Sequence, residues 1–140
     1  MKEVVINNPY DVVALLSKYR KKRVEYFGVV GVDAGRNVMF QKNLFIGSSA
    51  YAFVDPKIVF WELCSRKASA FIVYHNHPSG NSSPSEDDIK LTKRLVELGD
   101  KMGLSLLDHV ILTKTDYYSL KERGNIESID NEIAKKVAEE

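Results

Sequence analysis

The sequence predicts an α/β (α+β) domain in which a mixed β-sheet is flanked by helices. Three observations carry that expectation. Helical and strand-like patterns follow one another in the order α-β-β-α-β-α-β along the 140 residues, as in a mixed sheet with helices laid against it. Two runs, RVEYFGVVGVD over 23–33 and AFIVY over 70–74, are rich in valine and aromatics, as strands buried on both faces are. A capping residue followed by proline marks a helix start at Asn8-Pro9, Asp55-Pro56 and Ser83-Pro84.

Taken in order, Asn8 caps a first helix that carries Asp11 in its first turn and Val12, Val13, Leu15 and Leu16 on an apolar side, ending near Arg20. The strand over 23–33 reaches the turn Asp33-Ala34-Gly35-Arg36-Asn37, and Val38 to Ile46 returns as the second arm of a hairpin. Residues 47–50 read as loop. The helix opened by Asp55-Pro56 sets Ile58, Val59, Trp61, Leu63 and Cys64 at helical spacings, and Cys64 beside Trp61 reads as core. The apolar strand from Ala70 to Tyr74 runs into His75-Asn76-His77-Pro78-Ser79-Gly80, which must leave regular structure at the proline and glycine. Ser83 then caps a long helix, with Pro84 at N1 and Glu86 at N3 completing a capping box, and Gly103 closes it. Leu104 to Thr113 is a strand, residues 116–124 a short connection, and 126–140 a C-terminal helix or frayed tail. No linker divides two cores, so the expected organisation is one domain over 1–124 and a helix or tail over 125–140.

Composition narrows the class. Hydrophobic residues make up 44%, charged 28% and aromatic 10% of the chain, which argues against disorder, collagen and coiled coil. Twenty basic against nineteen acidic side chains leave +1, so the chain as a whole is no polyanion binder. The single cysteine excludes an intramolecular disulfide framework and any multi-cysteine metal site, and suits a reducing cytoplasm. No run approaches the roughly 18 apolar residues of a membrane span, and Met1-Lys2-Glu3-Val4 lacks a signal-peptide pattern. A cytoplasmic domain without membrane contact is the expectation.

The chemistry gathers around two of the three histidines. In extended backbone His75 and His77 point the same way while Asn76 turns aside. Alone, such a pair reads equally as ligands or as polar loop residues. The next helix adds weight. Its stripe Leu91, Leu95, Leu98, Met102 extends back three residues to Asp88, which places a carboxylate at the head of the inward face. An ionised carboxylate there is costly unless it is paired or binds a metal. The alternative is a partner for the helix dipole, a role that Glu86 and Asp87 fit better. Two imidazoles and one carboxylate leave a position for water, the pattern of a catalytic zinc site. Ser85, one turn before Asp88, can donate to a metal-bound water or a developing oxyanion, or serve as a redundant cap.

The spacing H-x-H, seven residues, then S-x-x-D, formed by His75, His77, Ser85 and Asp88, resembles the signature of the JAMM (MPN+) metalloprotease family. The wording HNHPSG, PS-x-x-D, L-x-D-H-V-I-L over 106–112 and Tyr118-Ser119 resembles its RadC-like branch, over roughly residues 8–124. The resemblance implies a JAMM and cytidine-deaminase-like α/β fold. It also implies one Zn²⁺ per chain on His75, His77 and Asp88, with Ser85 assisting the tetrahedral intermediate. The family further uses a glutamate on an early strand as general base, and Glu25 in V-E-Y-F looks like that residue. Other readings of Glu25 are a surface carboxylate at the strand end or a salt bridge to Arg23. Glu3 and Glu62 are weaker candidates, Glu62 being expected on a solvated helix face.

The implied activity is zinc-dependent hydrolysis of a peptide or isopeptide bond in an unidentified protein substrate. A His₂-carboxylate set also suits iron or manganese. His109 reads as a satisfied strand histidine ahead of a partner near the zinc. An HNH nuclease is disfavoured, since that motif is built from separated residues. A zinc deaminase needs P-C-x-x-C, which one cysteine cannot supply. The run from Lys18 to Arg23, five cations in six residues, fits a helix C-terminus complementing the macrodipole ahead of a nucleic-acid contact. RadC-like proteins typically carry a helix-hairpin-helix region before this domain. With eight residues ahead of Pro9, that region is expected to be absent. The competing reading is a nucleic-acid-associated accessory protein with a structural or vestigial metal site.

Overall fold

A computed structural model describes residues 3–47 and 54–139. The chain order is α1 (Pro9–Leu15), β1 (Tyr26–Val32), β2 (Val38–Ile46), α2 (Pro56–Ser65), β3 (Ala70–Asn76), α3 (Glu86–Met102), β4 (Ser105–Leu112), β5 (Tyr117–Ser119) and α4 (Asn125–Ala138). The strands form one sheet in the order β2-β1-β3-β4-β5. Only β3 and β4 are parallel; the other pairs are antiparallel. The mixed sheet and its flanking helices are therefore as the sequence predicts, with β5 inside the expected connection and α4 where a helix or tail was open. The loop expected over 47–50 lies outside the described residues beyond Gly47, as does the start Met1-Lys2.

Alternation along β1 and β3 builds two cores. Val30, Val32, Ile72 and Tyr74 meet Val12 and Val13 of α1 and Leu16 just beyond it on one face. Phe27, Val29, Phe71 and Val73 meet α2, α3 and α4 on the other, through Val59, Leu63, Leu91, Leu95 and Ile129. Both middle strands are buried on both faces, which is why their sequences show no polar alternation.

Several expectations need correction. The first helix ends at Leu15, and a single 3₁₀ turn follows over Ser17–Tyr19. The basic run thus lies mostly beyond the helix instead of capping its dipole. In α2 the inward positions are Pro56, Val59, Phe60 and Leu63. Trp61 and Cys64 stand on the outer side, exposed, so Cys64 is not core. Glu62 is buried, not solvated. Its carboxylate takes Lys42 Nζ at 2.7 Å and Arg66 Nε at 3.3 Å, and the Lys42 bond above all holds its pKa below the usual carboxylate range. At the long helix the cap is Ser85, not Ser83, and Asp88, not Glu86, is the N3 partner of the capping box. Its stripe also ends earlier, because Met102 is half exposed.

The end of α3 fixes how closely the helix lies on β4. Gly103 takes the left-handed conformation (φ 72°) that closes the helix, and Leu104 N–H donates to Gly99 O at 2.8 Å. A Cβ on Gly99 would stand 2.3 Å from Leu104 O. Backbone cannot yield as a side chain can. Gly99→Ala is expected to destabilise the fold by about 1–3 kcal/mol, although alanine favours an isolated helix by about 1 kcal/mol. Urea unfolding checks this, and an unchanged or raised midpoint contradicts the packing account.

Candidate metal centre

Three segments meet at the C-terminal ends of the parallel strands. β3 runs through His75 and Asn76 before the chain breaks at Pro78. Because Val73 faces α3, His75 two residues on faces it too, and Phe27 stacks 6.2 Å from its ring. His77 lies just past the strand, its N–H still donating to Leu112 O at 2.8 Å.

Asp88 is oriented by its own helix. Its Oδ2 accepts from Ser85 N–H at 2.8 Å, while Ser85 Oγ accepts from Asp88 N–H at 3.1 Å. Asp88 thus serves the helix start and the inward face together. Among the described residues its buried Oδ1 has no hydrogen-bond partner. That oxygen lies 3.5 Å from His75 Nε2, and Oδ2 lies 3.6 Å from His77 Nε2. The two Nε2 atoms are 2.8 Å apart. His75, His77 and Asp88 can each offer one ligand atom, all within 4.8 Å of one another.

Hydrogen-bond direction assigns the protons. Thr92 O–H donates to Asp88 O at 2.7 Å, so Thr92 Oγ1 accepts from His109 Nδ1–H at 2.6 Å. Burial keeps His109 neutral, its pKa well below the ordinary value, which leaves Nε2 as an acceptor. His75 Nδ1–H therefore donates to it at 2.8 Å. His75, its pKa also lowered by burial, presents an unprotonated Nε2 to His77 and Asp88. His77 Nδ1–H donates to Asn81 O at 2.8 Å, and its Nε2 faces the same point.

Burial alone would raise the pKa of Asp88, but His75, His77 and the Ser85 N–H outweigh it and hold the carboxyl well below its usual range. The group is an anion at neutral pH. Burial works against charge on His77 too, yet Asp88, the Asn81 carbonyl and the Glu25 carboxylate together raise its pKa. Two lone pairs and a buried anion converging on one point demand a cation, either a proton on His77 or a metal ion. Neighbouring ligand atoms in a tetrahedral zinc site with bonds of about 2.0–2.1 Å lie about 3.3 Å apart, and the observed 2.8, 3.5 and 3.6 Å bracket that edge. The donor set fits a divalent metal.

Glu25 stands one residue before β1, half-buried, and not inside the strand as expected. Alternation continued from Phe27 directs it to the His75 face, and its charge is felt at His77. Its position depends on Asn76. The Asn76 side chain accepts from Tyr26 N–H at 2.7 Å and donates to Val24 O at 3.0 Å and Lys22 O at 3.4 Å. Sequence reading gave Asn76 no task, yet it fastens the segment carrying Glu25. Ser85 is exposed at the mouth, and accepting from Asp88 N–H leaves its hydroxyl proton free to donate.

His109 is a larger surprise. Simple alternation after Leu106 would turn it to the α1 side. A register shift pairs Phe71 with Leu106 but Ile72 with Asp108. Leu107 is the extra residue, and the bulge turns His109 to the α3 side opposite Val73. Asp108 is spent on structure: it accepts from Ser119 Oγ at 2.6 Å and from the His109 and Lys121 amides at 2.7 and 3.0 Å.

Comparison with known proteins places the chain in a family. The RadC-like JAB domain model matches residues 6–125. The chain is 45% identical over 122 residues to a UPF0758 protein of Alkaliphilus metalliredigens (strain QYMF), covering 85% of this chain and 52% of that relative. It is 41% identical over 125 residues to UPF0758 protein lin1584 of Listeria innocua serovar 6a, covering 88% and 55%. With UPF0758 protein ABC2615 of Shouchella clausii the identity is 42% over 121 residues, covering 86% and 53%. The chain spans about half the length of these curated relatives. The family model's match over residues 6–125, together with these identities, makes this chain a member of the RadC-like JAB domain family.

Proposed function

We propose that the protein is a metal-dependent hydrolase of peptide or isopeptide bonds, holding one Zn²⁺ per chain on His75, His77 and Asp88. The observation that carries the reading is the convergence of two imidazole lone pairs and the buried Asp88 Oδ1, with no hydrogen-bond donor among the described residues reaching that oxygen. The chemistry a divalent ion supplies at such a donor set is acidification of water and polarisation of the scissile carbonyl. Glu25 takes a proton from the attacking water and delivers it to the leaving amine as the C–N bond breaks. Ser85 donates its hydroxyl proton in a hydrogen bond to the developing oxyanion, an effect worth a few kcal/mol in other enzymes. His109 acts through His75, holding it in the tautomer that presents Nε2.

Protein purified without added metal is expected to carry close to one zinc per chain by elemental analysis, and His77→Ala to lose it. Zinc absent from the parent, or retained in full by the variant, sinks the metal centre. Glu25→Gln should keep the metal while hydrolysis of a peptide mixture by the zinc-loaded protein, followed by mass spectrometry, falls about 10²–10⁴-fold. Undiminished turnover removes Glu25 from the base role. His109→Leu should weaken zinc binding about 10–100-fold in competition with a chromophoric chelator. His109→Gln, whose amide oxygen can accept the His75 proton, should recover part of that loss. Equal weakening in both variants reduces His109 to packing.

A further inference from the structure

The basic run has moved from where helix-dipole reasoning put it. Arg20, Lys21, Lys22, Arg23 and Lys114 line a cavity of about 340 Å³ whose wall also includes His77. Five cations and no carboxylate in one lining is a strong bias for a chain whose net charge is +1. Among the described residues none of the five is ion-paired. Arg20 is half-buried and fixed: its Nε donates to Thr113 O at 2.9 Å and an Nη to Asp116 O at 3.2 Å. Backbone carbonyls hold that guanidinium in place without cancelling its charge.

We propose that this cavity is the subsite for an acidic residue of a polypeptide substrate, next to the scissile bond. The inference rests on the hydrolase reading, because His77 joins the cavity to the proposed metal centre. A volume of about 340 Å³ is at the small end of ligand pockets and suits one or two side chains. A nucleic-acid strand needs a longer basic track with aromatic faces for its bases. The aromatic inside the run, Tyr19, is instead buried and stacked on Tyr74. Four exposed cations around a fixed Arg20 match a carboxylate, which Arg20 and its neighbours can meet with charge-assisted hydrogen bonds.

The test uses the zinc-loaded full chain and three fluorescein-labelled probes: a dodecapeptide of alternating glutamate and alanine, its glutamine counterpart, and a mixed-sequence single-stranded DNA. Fluorescence anisotropy should show the glutamate peptide binding about tenfold more tightly than the glutamine peptide, with the gap closing as salt rises. The triple variant Lys21→Gln/Lys22→Gln/Arg23→Gln should erase the preference, while Lys135→Gln/Lys136→Gln on α4 should keep it. Equal binding of both peptides overturns the proposal, and so does a preference that survives the triple variant. DNA binding more tightly than the glutamate peptide near physiological salt overturns it in favour of a nucleic-acid partner. Digestion of a peptide mixture separates the two readings. Charge-selective binding without cleavage by protein that retains zinc supports the subsite and refutes the hydrolase. Cleavage indifferent to acidic neighbours refutes the subsite alone.

Discussion

A carboxylate removed from water needs donors, and Asp88 is supplied from one side only. Its Oδ2 is held by the amide of Ser85 at the start of its own helix, while Oδ1 is buried without a donor among the described residues. The capping box that starts α3 is therefore also the device that aims the anion. Removing the helix start would lose both the cap and the aim, because one side chain does both. The imidazoles stand opposite this fixed negative charge, which helps raise the pKa of His77 while burial lowers that of His75.

The order of protons around the site is set by a chain of obligate donors and acceptors. Thr92 must donate to the carbonyl of Asp88, so His109 must donate to Thr92, and His75 must donate to His109. Each link leaves the next residue one choice. The result is that α3, which bears Asp88, also dictates through Thr92 and β4 which nitrogen His75 shows to Asp88. Close seating of α3 on β4 at Gly99 and Leu104 keeps that circuit short.

Much of this was legible in the sequence. Apolar runs rich in β-branched and aromatic residues gave β1 and β3, proline after a capping residue gave α1 and α2, and His-x-His with Asp88 at the head of an apolar stripe gave the cluster itself. What was hidden shares one cause: it depends on contacts between segments. The bulge at Leu107 reverses the facing of His109, and nothing local to Leu106-Leu107-Asp108 signals an extra residue. Glu62 looks like a solvated helix position until Lys42 from β2 and Arg66 close on it. Ser83-Pro84 is a good helix start by pattern, yet the first turn forms two residues later, where Asp88 can answer Ser85. Asn76 looked idle because its partners, Lys22, Val24 and Tyr26, are fifty residues or more away.

Asn76 lies between the two histidines in sequence, and its side chain grips the main chain on either side of Glu25. Any shear of the end of β3 must therefore drag that segment along with the imidazoles. The position of Glu25 is thereby tied to the end of the strand that carries the imidazoles. Lys22, whose carbonyl is part of the same grip, also lines the basic cavity, so one side chain fastens the cationic rim and the proposed metal centre to the same strand end.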